Sequence, residues 1–267
     1  MAGRPQKRPK RELHLVQLLP NFLTLAALCA SLTAIRFAIQ GHGQTAVGLI
    51  MLAAVLDLLD GWAARALRSE SAMGAELDSL ADFASFGVAP GLILYFWMLK
   101  GSIVQGWPGL GWMAVLIYVI CTALRLARFN VGNNRPTSDG LEKRFFRGVP
   151  SPAGAMLAFM PMYFAFMLPD APTLPVWMLS LYLMAVGGLM ISKIPTLSFK
   201  LVTFRVENAP YFLIAFAAFA GAILTSPWAT LFGLGLAYCA SVVIAARFLR
   251  KPVKKPEDEN VGDNAGD

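Results

Sequence analysis

Read for apolar runs between clusters of charge, the chain resolves into eight segments of near-continuous hydrophobicity. They lie at roughly 20–39, 43–64, 79–99, 107–127, 151–169, 173–192, 209–225 and 228–248. Each approaches the ~20 mostly apolar residues that a helix needs to cross the hydrocarbon core of a bilayer. The pattern predicts an all-α integral membrane protein with about eight transmembrane helices, one membrane domain and no soluble one. The first run is long and no small-residue cleavage site follows it, so it reads as a span and not as a cleavable signal peptide. The second and third runs differ from the others in carrying aspartates.

Charge orders these spans across the membrane. All of the 23 lysines and arginines except Arg36 and Lys100 fall in the N-terminal tail, the C-terminal tail or the loops after spans two, four and six. By the positive-inside rule both termini and those loops are cytoplasmic, which places the protein in the cell membrane as a multi-pass protein. Residues 1–19 form a basic cytoplasmic segment in which Glu12–Leu19 is a candidate interfacial helix ending at Pro20. Residues 251–267 read as a disordered cytoplasmic tail, acidic and Gly/Asn-rich from Glu257 onward.

Composition narrows the chemistry further. With 57% hydrophobic and 15% charged residues, the chain lies outside the soluble, disordered and disulfide-scaffold classes. A net charge of +7 in such a chain reports topology and anionic headgroups, not nucleic acid. Cys29, Cys121 and Cys239 each sit in an apolar run with no C-x-x-C spacing, and His14 and His42 stand apart in separate polar stretches. None of these builds a zinc or disulfide centre.

The aspartates do build something. Asp57 and Asp60 are three residues apart near the end of span two, and Asp78 and Asp82 are four apart at the start of span three. Each pair therefore projects from one helix face. The short connection Arg68-Ser69-Glu70-Ser71 makes the two helices an antiparallel hairpin, so the four carboxylates meet at one edge of the bilayer. Each costs about 2.5–3.5 kcal/mol to insert near the membrane interior, before any mutual repulsion. Protonation or divalent cations relieve that cost. Four negative charges and all-oxygen ligation match two cations of the Mg²⁺ or Mn²⁺ type, an arrangement that commonly clamps phosphoryl groups. Gly61, Ala64 and Gly74 beside them admit a ligand or a neighbouring helix closely, and Arg65 is placed to reach a phosphate or to pair with a neighbouring acid.

The segment from Asp57 to Asp82 reads DLLDGWAARALRSESAMGAELDSLAD. It resembles the signature of the CDP-alcohol phosphotransferases, D-x-x-D-G-x-x-A-R, eight residues, G-x-x-x-D-x-x-x-D. Asp57, Asp60, Gly61, Ala64, Arg65, Gly74, Asp78 and Asp82 fill every specified position. The resemblance implies a membrane enzyme that transfers a phosphatidyl or similar group from a CDP-linked donor to an alcohol and releases CMP. It further implies that the four aspartates hold two divalent cations, that Asp82 is the general base, and that the protein is a homodimer. The six-helix catalytic core would occupy residues 20–200, leaving two additional helices over 201–250.

Other segments resemble the phosphatidylserine synthase branch of that family: PNFLT (Pro20–Thr24), ALRLARFN (Ala123–Asn130), FRGVPSPAGA (Phe146–Ala155) and MISKIPTLSFK (Met190–Lys200). Gly154 stands where alanine is common in the branch. The substrates implied are CDP-diacylglycerol, whose tails stay in the lipid bilayer, and L-serine. Asn21 and Thr24 become candidates for binding the donor, as do Gly61, Ala64, Arg65 and Gly74. Arg125, Arg128 and Asn130 become candidates for binding serine, with bidentate capture of its carboxylate by an arginine as the chemical rationale. Ser151 and Lys193 have sufficient structural readings in a helix start and a headgroup contact. Two alternatives stay open: an acceptor such as glycerol 3-phosphate or an inositol phosphate, and, from a different class, a cation-coupled transporter. A transporter calls for carboxylates near the bilayer midplane and broken helices in two halves, whereas these aspartates cluster at one edge.

Overall fold

In the computed structural model the described residues are 18–69, 71–100, 109–133, 146–168, 170, 174–192, 195–196 and 209–248. The candidate interfacial helix before Leu18, the C-terminal tail and Lys193 lie outside them. Eight helices span these residues: α1 (Leu19–Ile39), α2 (Gly43–Ala66), α3 (Ala72–Leu99), α4 (Leu110–Asn133), α5 (Ser151–Met167), α6 (Val176–Ile191), α7 (Ala209–Thr225) and α8 (Pro227–Phe248). Five of them, α1–α4 and α8, are long and apolar enough to cross a membrane, and α5, α6 and α7 are shorter apolar helices. The chain is an all-α, multi-pass integral membrane protein. A two-residue antiparallel bridge, Phe146–Arg147 with Pro195–Thr196, ties the chain entering α5 to the chain leaving α6.

The packing follows membrane rules. The buried face of α1 is Pro20, Thr24, Ala27, Ser31, Ala34 and Ala38, and α2 answers with Gly43, Ala46, Val47, Ile50, Ala53, Asp60 and Ala63. Small residues let the two backbones approach where lipid supplies no hydrophobic drive. The large apolar side chains Phe22, Leu25, Leu32, Leu52 and Leu58 point outward. α4 packs along α6 in the same manner, with Gly187 close against Cys121 and the Tyr118 backbone. α8 lies against the second half of α5 through aromatic contacts, Tyr163 and Phe166 on Trp228 and Phe164 on Phe232.

Two helices are interrupted by proline, and both interruptions are repaired in the same way. α3 widens into π-helical turns over Phe83–Val88 and Tyr95–Leu99. Pro90 has no N–H to offer the carbonyl of Phe86, and the fully buried Tyr118 donates its hydroxyl to that oxygen at 2.8 Å. α5 breaks at Phe159. There Pro161 leaves the carbonyl of Leu157 without its helical donor, and Tyr182 of α6 supplies one at 2.6 Å. Polar backbone inside a membrane bundle must find partners within the protein, and a tyrosine from the facing helix serves each time.

The third helix starts earlier than the apolar pattern places it, at Ala72 instead of near residue 79. Ser71 takes the N-cap position, accepting the backbone N–H of Gly74 at 3.0 Å, so the polar stretch before the apolar run is helix and not loop. Asp78 and Asp82 therefore sit within a helix that is already formed.

Tyr118→Phe removes the hydroxyl that donates to the Phe86 carbonyl and is expected to cost about 1–3 kcal/mol of stability. Adding Pro90→Ala, which returns an N–H to that carbonyl, should recover part of the loss. Thermal unfolding of the single and double variants in detergent measures both; additive losses would contradict the account.

Candidate active site

The aspartate hairpin is built by its turn. α2 ends with the N–H of Ser69 on the carbonyl of Ala64 at 3.1 Å and that of Arg68 on Arg65 at 3.3 Å. Arg68 itself adopts φ +49. This is the paired closure by which a helix ends in a left-handed residue, usually glycine. An arginine there carries strain of roughly 1–2 kcal/mol, offset by a turn tight enough to set α3 beside α2.

One oxygen from each of Asp57, Asp60 and Asp78 lies within 4.8 Å of the others. The side chain of Asp82 lies beside that of Asp57. Asp82 Oδ1 is buried and, among the described residues, has no hydrogen-bond partner. A buried carboxylate oxygen without a donor, beside three converging carboxylates, is the environment a hard divalent cation satisfies. All donors are oxygen, and the cluster fits such an ion.

Thr24 emerges in a different place from a ligand-facing cap. Its hydroxyl lies 2.6 Å from Asp60 Oδ2 and 3.0 Å from the carbonyl of Pro20. Thr24 and Asp60 are each only 4% exposed. Thr24 thus holds one carboxylate oxygen and orients the other. Asn21 stands one turn away beside the start of α3, where a Cβ placed on Gly74 would lie 3.1 Å from its Oδ1. Gly74 brings α1 and α3 together. Gly61 is open: a Cβ there would meet only Arg65 Nη1, at 3.5 Å. Ala64 is half-buried and Arg65 exposed at the same end of α2.

The three residues singled out on α4 have separate surroundings. Arg125 is half-buried, donates from Nη1 to the buried Ser151 Oγ, and lies within electrostatic range of Asp82. Arg128 is exposed and donates to the carbonyl of Ile191 at 3.0 Å, closing the end of α6. Asn130 donates to Ser79 Oγ at 3.1 Å and so ties α4 to α3 between Asp78 and Asp82. Of the three, Arg125 is the one brought next to the carboxylates. Ser151 is placed by the loop before it. Gly148 has φ +90, and a Cβ there would fall 2.6 Å from the Met190 carbonyl and 2.8 Å from that of Ser192, so only glycine fits.

Sequence reasoning missed Ser79, which offered no signal beyond its place between two aspartates. It also missed Tyr238 of α8, whose hydroxyl is buried, without a hydrogen-bond partner among the described residues and within electrostatic range of Arg125. A lone tyrosine inside an apolar span was the available clue. A cleft of ≈ 660 Å³ lies elsewhere: Gly41–Thr45, Trp97 and Leu168 line it at the opposite end of the bundle. It contains no carboxylate.

Residues 17–192 match the profile described as CDP-alcohol phosphatidyltransferase. The chain belongs to this family. It is also 37% identical, over 257 residues, to the CDP-diacylglycerol–serine O-phosphatidyltransferase of Mycobacterium tuberculosis, covering 96% of this chain and 87% of the relative. The Mycobacterium leprae protein of the same name matches equally, over 83% of its length. The Bacillus subtilis protein of that name is 35% identical over 139 residues, 52% of this chain and 71% of the relative. The expected family membership is borne out.

Replacing Thr24 by valine keeps the shape and removes the hydroxyl that orients Asp60. Loss of such a supporting bond typically lowers metal affinity 10–100-fold. Mn²⁺ titration of the purified protein, followed by electron paramagnetic resonance, should show that drop for Thr24→Val and near-normal affinity for Thr24→Ser.

Proposed function

We propose that the protein transfers the phosphatidyl group of CDP-diacylglycerol to the hydroxyl of L-serine, giving phosphatidylserine and CMP. The observation that carries the reaction class is the convergence of Asp57, Asp60 and Asp78 beside Asp82. The choice of serine rests on relatives so named that match along 96% of the chain, well beyond the signature.

The four aspartates would hold two divalent cations, Mg²⁺ or Mn²⁺. When bound, these supply positive charge against the donor's diphosphate and the departing CMP phosphate. The chain's own residues do the rest. Asp82, whose Oδ1 has no other partner among the described residues, takes the proton from the serine hydroxyl as its oxygen bonds the phosphorus that carries diacylglycerol. The P–O bond to CMP breaks as that bond forms. General-base help of this kind contributes about 10²–10⁴-fold. Thr24 keeps Asp60 oriented throughout. Gly61, Ala64 and Gly74 leave room for the donor headgroup, Arg65 meets a phosphate, and Asn21 lines the donor side. Arg125, with the serine carboxylate as its partner, stands next to Asp82; Arg128 and Asn130 contribute by setting the ends of α6 and α3.

The diacyl tails remain in the bilayer. The confinement of all basic residues except Arg36 and Lys100 to the tails, to the final turns of α2, α4 and α8 and to the segments after α2, α4 and α6 supports an active site and both termini on the cytoplasmic side of the cell membrane. Residues 20–200 form the catalytic core in this reading, and the family resemblance supports a homodimer.

The test is CMP release by purified protein given CDP-diacylglycerol, Mn²⁺ or Mg²⁺, and L-serine. Serine-dependent release should fall at least ~10²-fold in Asp82→Asn. Release only with glycerol 3-phosphate or an inositol phosphate would show that the acceptor is not serine.

A further inference from the structure

α8 lies beyond the residues matched by the family profile, yet it delivers a polar group to the site. It packs against both halves of α5 and against Pro195–Thr196. Tyr238 packs against the hydrophobic core, and its hydroxyl is buried with no hydrogen-bond partner among the described residues. A phenylalanine would fill the same space without leaving a desolvated hydroxyl unpaired, which is costly inside a protein.

Two unsatisfied polar atoms belong to groups that interact electrostatically with Arg125. Tyr238 Oη and Asp82 Oδ1 are both buried without partners among the described residues, and both groups are within electrostatic range of the guanidinium. Arg125 is steadied by Ser151 through one nitrogen, and a guanidinium has five N–H donors. Ser69 Oγ, Tyr163 Oη and Ser180 Oγ are also without partners among the described residues. An amino acid with a side-chain hydroxyl complements the first pair: its carboxylate takes donors from a guanidinium and a phenol, and its hydroxyl gives a proton to a carboxylate.

We infer that Tyr238 is an acceptor-binding residue, its phenol hydroxyl donating together with the Arg125 guanidinium to the carboxylate of the amino-acid acceptor. The inference rests on the serine reading above. It gives the two C-terminal helices a role in choosing the acceptor and not in handling the donor.

Steady-state kinetics of Tyr238→Phe, with serine and CDP-diacylglycerol varied separately, test this. The KM for serine should rise about tenfold, as expected for losing one hydrogen bond to a charged group, with kcat and the KM for CDP-diacylglycerol changed less than about twofold. An unchanged KM for serine overturns the inference and leaves the serine reading intact. A joint fall in kcat, donor affinity and thermal midpoint also overturns it, because that is the mark of a packing role. If the unsubstituted protein turns over only acceptors without a carboxylate, the serine reading fails and the assignment of Tyr238 falls with it.

Discussion

Four carboxylates held together at one end of an apolar bundle are the constraint around which the rest of the molecule is arranged. Each aspartate costs a few kcal/mol to place at membrane depth, and proximity adds repulsion. The fold answers with specific partners. Thr24 bonds Asp60, and Ser79, between Asp78 and Asp82, is bonded by Asn130. What those bonds do not satisfy is Asp82 Oδ1. The bundle end thus fits a hard divalent cation.

Keeping those helices in register requires backbone that is not regular helix. The π-helical turns of α3 begin immediately after Asp82, and widened turns of this kind are frequent at functional sites. Here the cause is chemical: Pro90 removes a donor, Tyr118 replaces it, and α4 is thereby tied to the helix that carries Asp78 and Asp82. The same helix carries Arg125 two turns further on, so one element both repairs α3 and presents a cation to the site. On the other side, the buried Ser31 and Ser85 hydroxyls bond at 2.8 Å and lock α1 to α3.

Much of this was legible in the chain itself. The apolar runs located the eight helices, because a membrane span is defined by length and composition more than by partners. The three- and four-residue spacings of the aspartates placed them on common faces, because helix geometry is local. Arg128 shows where reading stops: its apolar surroundings and one-turn spacing from Arg125 made the two equivalent, and only packing separates a guanidinium on the Ile191 carbonyl from one beside Asp82. The bond from Thr24 to Asp60 and the approach of Tyr238 to Arg125 were hidden for the same reason: Asp60 is 36 residues from Thr24 on another helix and Arg125 is on α4, and no local pattern encodes such pairs. The start of α3 was misplaced because a polar first turn looks like loop until the Ser71 cap is seen.

The central claim is that the aspartate cluster is a divalent-cation site on which turnover depends. The direct measurement is cation stoichiometry and CMP release on one chelator-treated preparation, with Mn²⁺ added back in steps, alongside Asp78→Asn. The account predicts two Mn²⁺ per chain, turnover that is absent without the ion and rises with occupancy, and loss of both in the variant. Full turnover in the presence of chelator, or Mn²⁺ binding unaffected by Asp78→Asn, would contradict it.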